Sequence, residues 1–510
     1  MHHLEGTALT LAFTAFFLFL IPKMNFFRIG SIPVKWFQGV FVLKVLSGFM
    51  LYLVYTYYYT DRLTSDIWKY YDDGMVMFSA LRDNPLDYLQ MLFGIGNDTE
   101  YFKQYYDQMN HWYRPFSSSI ANDTHTIIRF NAFMRLFSLG HYNVHSVVAN
   151  FLGLIGLTGI LHFLKQMAPA KEKWFFAGVF LMPGMMFWAS GVLKEPLLLF
   201  GLGLLLYGIM KWISDGFSWQ RFLLIVLSLF FLTTVKSYAL AAIGIALFGW
   251  FASRKLSSLK PAFVFLGVFV LGTIGLVAIH QFIPSKSLFT RMAQRQHEFY
   301  QLAEGGTYLK TATGDSLYVA ASDYEKLEFV DDRRGIMLKE SVEAVGWRDA
   351  KQPNVPSVVL RTNQKYEVLL DYGQTGSAIE TPRLEPNFWS VLKASPSALV
   401  NALFRPFPWN VRSPFMLLSG IENLIILLLM VLAIFRFQSG VLLNPIFCVA
   451  ISFAPTILIL TGLVTPVVGA IVRYKVPALP FLTTALLVLI NTDSIEQFLQ
   501  KKLPFLKRYF

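Results

Sequence analysis

The sequence predicts an all-α polytopic membrane protein of about eleven spanning helices with a small β-rich extracytoplasmic insert, and three observations predict it. The 510 residues are 55% hydrophobic and only 15% charged, with a mean hydropathy of +0.47, more apolar side chain than a soluble core absorbs. A hydrocarbon layer of roughly 30 Å takes about 20 apolar residues per helix. Segments of that character fall near 7–22, 36–60, 143–164, 174–191, 195–211, 219–235, 237–252, 261–283, 413–435, 444–464 and 470–490. Between 284 and 400 the pattern changes to short β-prone runs, "DSLYVAAS", "PSVVLRT" and "YEVLLDYG", separated by Gly, Asp, Asn and Pro.

Taken in chain order, "TALTLAFTAFFLFLIPKM" has no basic residue before it and no small-residue cleavage site after it, so it reads as a retained helix. The basic residues then collect in alternate short loops: Lys23, Arg28 and Lys35; Lys165, Lys171 and Lys173; Lys211 and Arg221; Arg254, Lys255 and Lys260; and the terminal "QKKLPFLKRYF". The positive-inside rule therefore places the N-terminus outside and the C-terminus in the cytoplasm. The net charge of +12 is thereby an expression of topology, and a nucleic-acid partner is not expected. Cys448 is the single cysteine and lies in an apolar segment, which excludes an intramolecular disulfide. Asn97-Asp98-Thr99 and Asn122-Asp123-Thr124 fit the glycosylation sequon, a pattern short enough to arise by chance.

This topology divides the chain into an N-terminal membrane module, 1–283, with an extracytoplasmic loop at 61–142; an extracytoplasmic insert, 284–400; and a C-terminal membrane module, 401–510, with a basic cytoplasmic tail. In the loop, "THTIIRFNAFMRLFSLG" has apolar residues at 127, 130, 134 and 137, the spacing of a helix lying in the interface. The insert opens on a helix around "RMAQRQHEFYQLAEGG". In "NALFRPFPWN", where the chain returns to the membrane, Phe404, Phe407 and Trp409 flank Arg405 as expected at headgroup level. No metal-ligand spacing, P-loop, dinucleotide fingerprint or nucleophile elbow is present, so ATP-driven transport has no support.

Ionisable groups at the ends of apolar segments cost about 2.5–3.5 kcal/mol if they enter hydrocarbon unpaired, so they mark wet cavities or interface anchors. Four sets fall on the expected outer side: Asp66, Asp72 and Asp73 in "TSDIWKYYDDG"; Lys194 and Glu195 in "SGVLKEPLLLF"; Lys236 and Tyr238 in "TTVKSYAL"; and Arg473, Tyr474 and Lys475 in "GAIVRYKVPALP". Lys194 and Glu195 read equally well as a hairpin tip, and Lys236 as a snorkelling anchor. The Arg473 set runs against the positive-inside trend, which an anionic partner explains. Among the aspartates, Asp66 lies nearest the membrane. His111 and Arg114 in "NHWYRPFSSS" read as loop packing.

These stretches, with "NALFRPFPWN" and "SGIENLIILLL", resemble the GT-C superfamily of polytopic glycosyltransferases, and among them bacterial mannosyltransferase-like and exopolysaccharide-polymerase-like enzymes. The resemblance spans most of the membrane part but not the insert. It implies an integral protein of the bacterial inner membrane, with a cavity open to the outer leaflet. There a polyprenyl-phosphate-linked sugar meets a glycan, lipid or protein acceptor among the membrane lipids. By this likeness Asp66 matches the family's loop carboxylate, a base or a ligand to a divalent cation, and Arg473 the residue that contacts the lipid phosphate. Lys475, Lys236 and Lys194 are further candidates for the phosphate. The competing readings are an oligosaccharide polymerase or ligase, a lipid-linked sugar transporter or flippase, and a non-catalytic subunit of an envelope assembly complex with the insert as its docking module.

Overall fold

The computed structural model describes residues 2–59, 62, 65–112, 123–310, 316–331, 334–347, 357–362, 364–372, 375–411 and 413–492. Arg114, Asn122 of the second sequon and the basic C-terminal run lie outside the described residues. Among those described, nine helices are long and apolar enough to cross a membrane, which makes this an integral membrane protein, mostly helical, with one antiparallel sheet.

The difference from eleven has two physical causes. The stretch expected to span at 174–191 is broken into the helices Glu172–Phe180 and Pro183–Phe187 and an irregular segment after them. Non-helical backbone at membrane depth requires its polar groups to be satisfied by protein, and here they are. Lys44 donates to the carbonyls of Met185 (3.3 Å) and Ala189 (2.5 Å) and to Ser190 Oγ (3.2 Å). The Gly191 amide donates to Asn150 (3.1 Å) and that of Val192 to the Tyr142 hydroxyl (3.4 Å). Gly191 adopts φ +78°, with Leu51 packed close.

The second cause is Lys236. Residues Trp219–Lys255 form one helical run interrupted at Lys236 (φ −150°, ψ 83°). The first limb runs beside the helix Lys194–Asp215, with Gly201 against Ser228 and Gly208 against Ile225. The second limb brings Trp250 to within 5.3 Å of Phe163, near the end of the helix Tyr142–Leu164 remote from Tyr142. Lys236 therefore marks the bend between the limbs, at the Tyr142 end of the bundle.

The bundle centre is built on close helix contact. A Cβ on Gly203 would lie 1.8 Å from the Gly156 carbonyl oxygen, and one on Gly156 2.2 Å from that of Leu199. Small residues let the Tyr142–Leu164 and Lys194–Asp215 backbones approach where dispersion, not water exclusion, drives association.

Outside the bundle lie the helices Asp66–Asp83, Pro85–Phe93 and Asp123–Ser138 of the first loop; the last is the helix expected there, and it buries Ile127 and Met134 of its apolar spacing in the protein. The insert begins with the helix Leu288–Glu304. It continues as β1 (Gly306–Lys310), β2 (Ser316–Ala320), β3 (Leu327–Val330), β4 (Gly335–Leu338), β5 (Val342–Trp347), β6 (Ser357–Leu360) and β7 (Lys365–Tyr372). The strands pair antiparallel in the order β3-β4-β7-β1-β2-β5-β6 over a core that includes Leu309, Val319, Ile336 and Val342. The three expected runs became β2, β6 and β7. The helix Phe388–Phe404 then leads back to the bundle.

Candidate functional site

Three carboxylates stand in the first turns of three helices: Asp66 opens Asp66–Asp83, Asp123 opens Asp123–Ser138, and Glu195 lies at the start of Lys194–Asp215. Anionic side chains are favoured there by the exposed amides and the helix dipole. Arg473 occupies the complementary position, the last turn of Val468–Tyr474. Local propensity thus explains each placement, and packing brings the four ends together.

Arg473 is the hub. One arm of its guanidinium pairs with Asp66 Oδ2, while Nη2 lies 3.3 Å from Glu195 Oε1. Asp66 Oδ1 pairs in addition with Lys69, one turn along its own helix. A second knot adjoins this one: Asp123 receives Lys194 at 2.8 Å and Lys236 at 3.0 Å. The Tyr70 ring lies 5.1 Å from each of the ammoniums of Lys69 and Lys194, and the Tyr474 ring 4.7 Å from that of Lys236. Within these two knots four cations face three carboxylates, an excess of one positive charge that suits an anion.

Burial by itself would raise the Asp66 carboxyl, but Lys69, Arg473 and Lys194 outweigh it and hold the group well below the usual carboxylate range. Asp66 is therefore ionised at neutral pH, and it is a weak base for as long as Lys69 and Arg473 remain paired with it.

A cavity of about 310 Å³ opens beside Arg473. It is lined by Asp66, Arg473 and Tyr474, by the apolar and aromatic Leu51, Val54, Tyr55, Tyr59, Phe187 and Trp188, and by Thr375, Ser377, Val467, Gly469 and Ala470. Its size is at the low end for small-molecule pockets.

The sequence-derived candidates divide accordingly. Asp66, Glu195, Lys194, Lys236, Arg473 and Tyr474 converge, with Tyr238 at the margin, its ring 5.9 Å from Lys236. Four others serve elsewhere. Asp72 pairs with Arg62 at 2.6 Å. Asp73 accepts the amides of Asn110 (2.9 Å) and His111 (2.8 Å) and so anchors the loop. Lys475 is sealed in the bundle against Glu422 (2.9 Å) and Asn423 (2.6 Å). Arg405 donates to Asn401 (2.9 Å) and stacks near Phe407. Lys69 and Asp123 were missed. Lys69 was legible, being three residues beyond Asp66 on a helix; Asp123 was hidden because its partners Lys194 and Lys236 are far along the chain.

The donor set does not fit a divalent cation. Asp66 and Glu195 already share Arg473, Lys69 adds a further positive charge, and among the described residues no three His, Cys, Asp or Glu side chains are grouped to hold a metal.

Fold and site together define an integral membrane protein with a cavity lined by Asp66 and Arg473 where several of its helices begin. No protein-family model matches the chain, and no curated protein or solved structure does so either.

Proposed function

We propose that the protein is a glycosyltransferase of a bacterial inner membrane, moving a sugar from a polyprenyl phosphate to a glycan, lipid or protein acceptor on the non-cytoplasmic side. The observation that carries the reading is the Asp66–Arg473 pair on one small cavity, with Glu195 bound to the same guanidinium, in an integral membrane protein. An anionic lipid head reaching this point competes with Asp66 for Arg473, whose planar fork matches phosphate oxygens. Drawing the guanidinium away relieves the carboxylate of one of its two cations and raises its basicity. Asp66 then accepts the proton of the acceptor hydroxyl as that oxygen bonds to the anomeric carbon. The anomeric carbon–oxygen bond to phosphate breaks, and its electron pair leaves on the phosphate, where Arg473 stabilises the charge.

The test is transfer by purified protein from radiolabelled polyprenyl-phosphate sugars, wild type against Asp66→Asn. Label should pass to an acceptor in the first case only; equal turnover by both forms would remove Asp66 from the chemistry.

A further inference from the structure

We infer that Thr375 and Ser377, on the segment by which the chain leaves the sheet, determine which sugar the cavity accepts. The inference rests on the transferase reading above and adds the part of the substrate that Arg473 cannot see.

The cavity offers two kinds of group. Asp66 and Arg473 are charged, and Arg473 suits phosphate. Thr375 and Ser377 are neutral, hydroxyl-bearing residues that line it together with Tyr55 and Trp188. Neither hydroxyl has a hydrogen-bond partner among the described residues, although the segment bearing them is held at several points. The Val468 amide donates to the Ser377 carbonyl (2.9 Å) and that of Ile379 to the Pro466 carbonyl (2.8 Å). The Thr375 amide donates to Ala303 (2.9 Å) and that of Thr381 to the Tyr300 hydroxyl (3.0 Å). A segment pinned through its backbone, whose hydroxyl-bearing residues line an open space, is preorganised for a polar ligand.

A sugar fits that chemistry. Its faces carry C–H groups that lie on aromatic rings. Sugars that are epimers differ only in the direction of a hydroxyl, which a fixed hydrogen-bonding wall distinguishes far better than an apolar one does. The same segment pairs with the stretch just before the helix of Arg473, through Ala378 and Val467, so the residues for phosphate and for sugar are joined by backbone. On this view the insert is part of the substrate site.

The experiment is equilibrium binding to purified full-length protein in nanodiscs, using a short polyprenyl phosphate either bare or carrying glucose, mannose or galactose. For wild type, one sugar-bearing lipid should bind roughly tenfold more tightly than the bare lipid, equivalent to about 1.4 kcal/mol. Joint Thr375→Val and Ser377→Ala should reduce that ratio to about one while bare-lipid binding, which also reports an intact fold, is unchanged; Thr375→Ser alone should retain it. Equal binding of bare and sugar-bearing lipids by wild type, or a preference that survives the double substitution, would overturn the inference and leave the transferase reading standing. Loss of bare-lipid binding in the double variant would overturn it too, by showing that the segment acts on the fold. If wild type binds no phosphate lipid at all, the transferase reading fails and carries the inference with it.

Discussion

Arg473 and Lys475 are two residues apart and have opposite situations. Arg473 faces the cavity, its side chain 13% exposed, and divides its hydrogen bonds between Asp66 and Glu195. Lys475 is fully buried against Glu422, whose other oxygen accepts the Gly184 amide at 2.6 Å. The sealed pair has no vacancy for a ligand. It joins the helix Pro414–Phe435 to the short helix Pro183–Phe187 and to the turn after Arg473, and so holds two walls of the cavity from behind. The open cluster can exchange a partner for an incoming anion. An ion pair is available for recognition when one face of it is wet, and it is a staple when none is.

Matched carboxylate-to-amide substitutions should separate the two. Asp66→Asn is expected to lower transfer by about 10²–10⁴-fold, the usual contribution of a general base, with only a small fall in the thermal midpoint. Glu422→Gln should do the reverse, losing about 3–5 kcal/mol of stability by leaving Lys475 buried and unpaired, as read by unfolding in detergent; replacing both partners by apolar residues should recover part of the loss. A Glu422→Gln protein as stable as wild type would erase the contrast.

Arg473→Lys should weaken binding of bare polyprenyl phosphate by roughly tenfold, because the charge stays and the planar fork is lost. The same assay on Lys475→Arg should show no specific loss of affinity in whatever fraction of the protein folds. The smallest effect expected is in pH dependence. A carboxylate whose folded value is depressed contributes stability above its unfolded value and loses it as pH falls through the folded one. The difference in thermal midpoint between wild type and Asp66→Asn should therefore hold through the ordinary carboxylate range and decay only below it. In an Arg473→Gln background the decay should move upward, because one of the cations that lower Asp66 is gone.

Much of this site could be read from the chain because each charged residue announces itself locally. Asp66, Glu195 and Arg473 interrupt apolar stretches in which a charge requires a reason. Adjacent charges, however, do not always act together: Lys194 and Glu195 both join the site, but others do not. Asp72 and Asp73 follow Asp66 by two turns and turn to Arg62 and to the loop amides, and Lys475 points away from Arg473. Helical geometry separates such neighbours, and only the packing against other helices says which face is wet. The bend at Lys236 falls at the boundary expected between 219–235 and 237–252, and the charge alone marks it, since "TTVKSYAL" contains neither proline nor glycine.

Composition and hydropathy, which are sums over neighbouring residues, determined that this is a helical membrane protein with a β-rich excursion, and they placed most of the apolar helices to within a few residues. The tertiary structure alone decided that Asp66 meets Arg473 across 407 positions of sequence, that Asp123 and Lys69 belong with them, and that the segment leaving the sheet closes the same cavity. Those are contacts between distant parts of one chain. They are set by how the glycine-lined helices and the buried ion pair pack, for which no window along the sequence carries a signal.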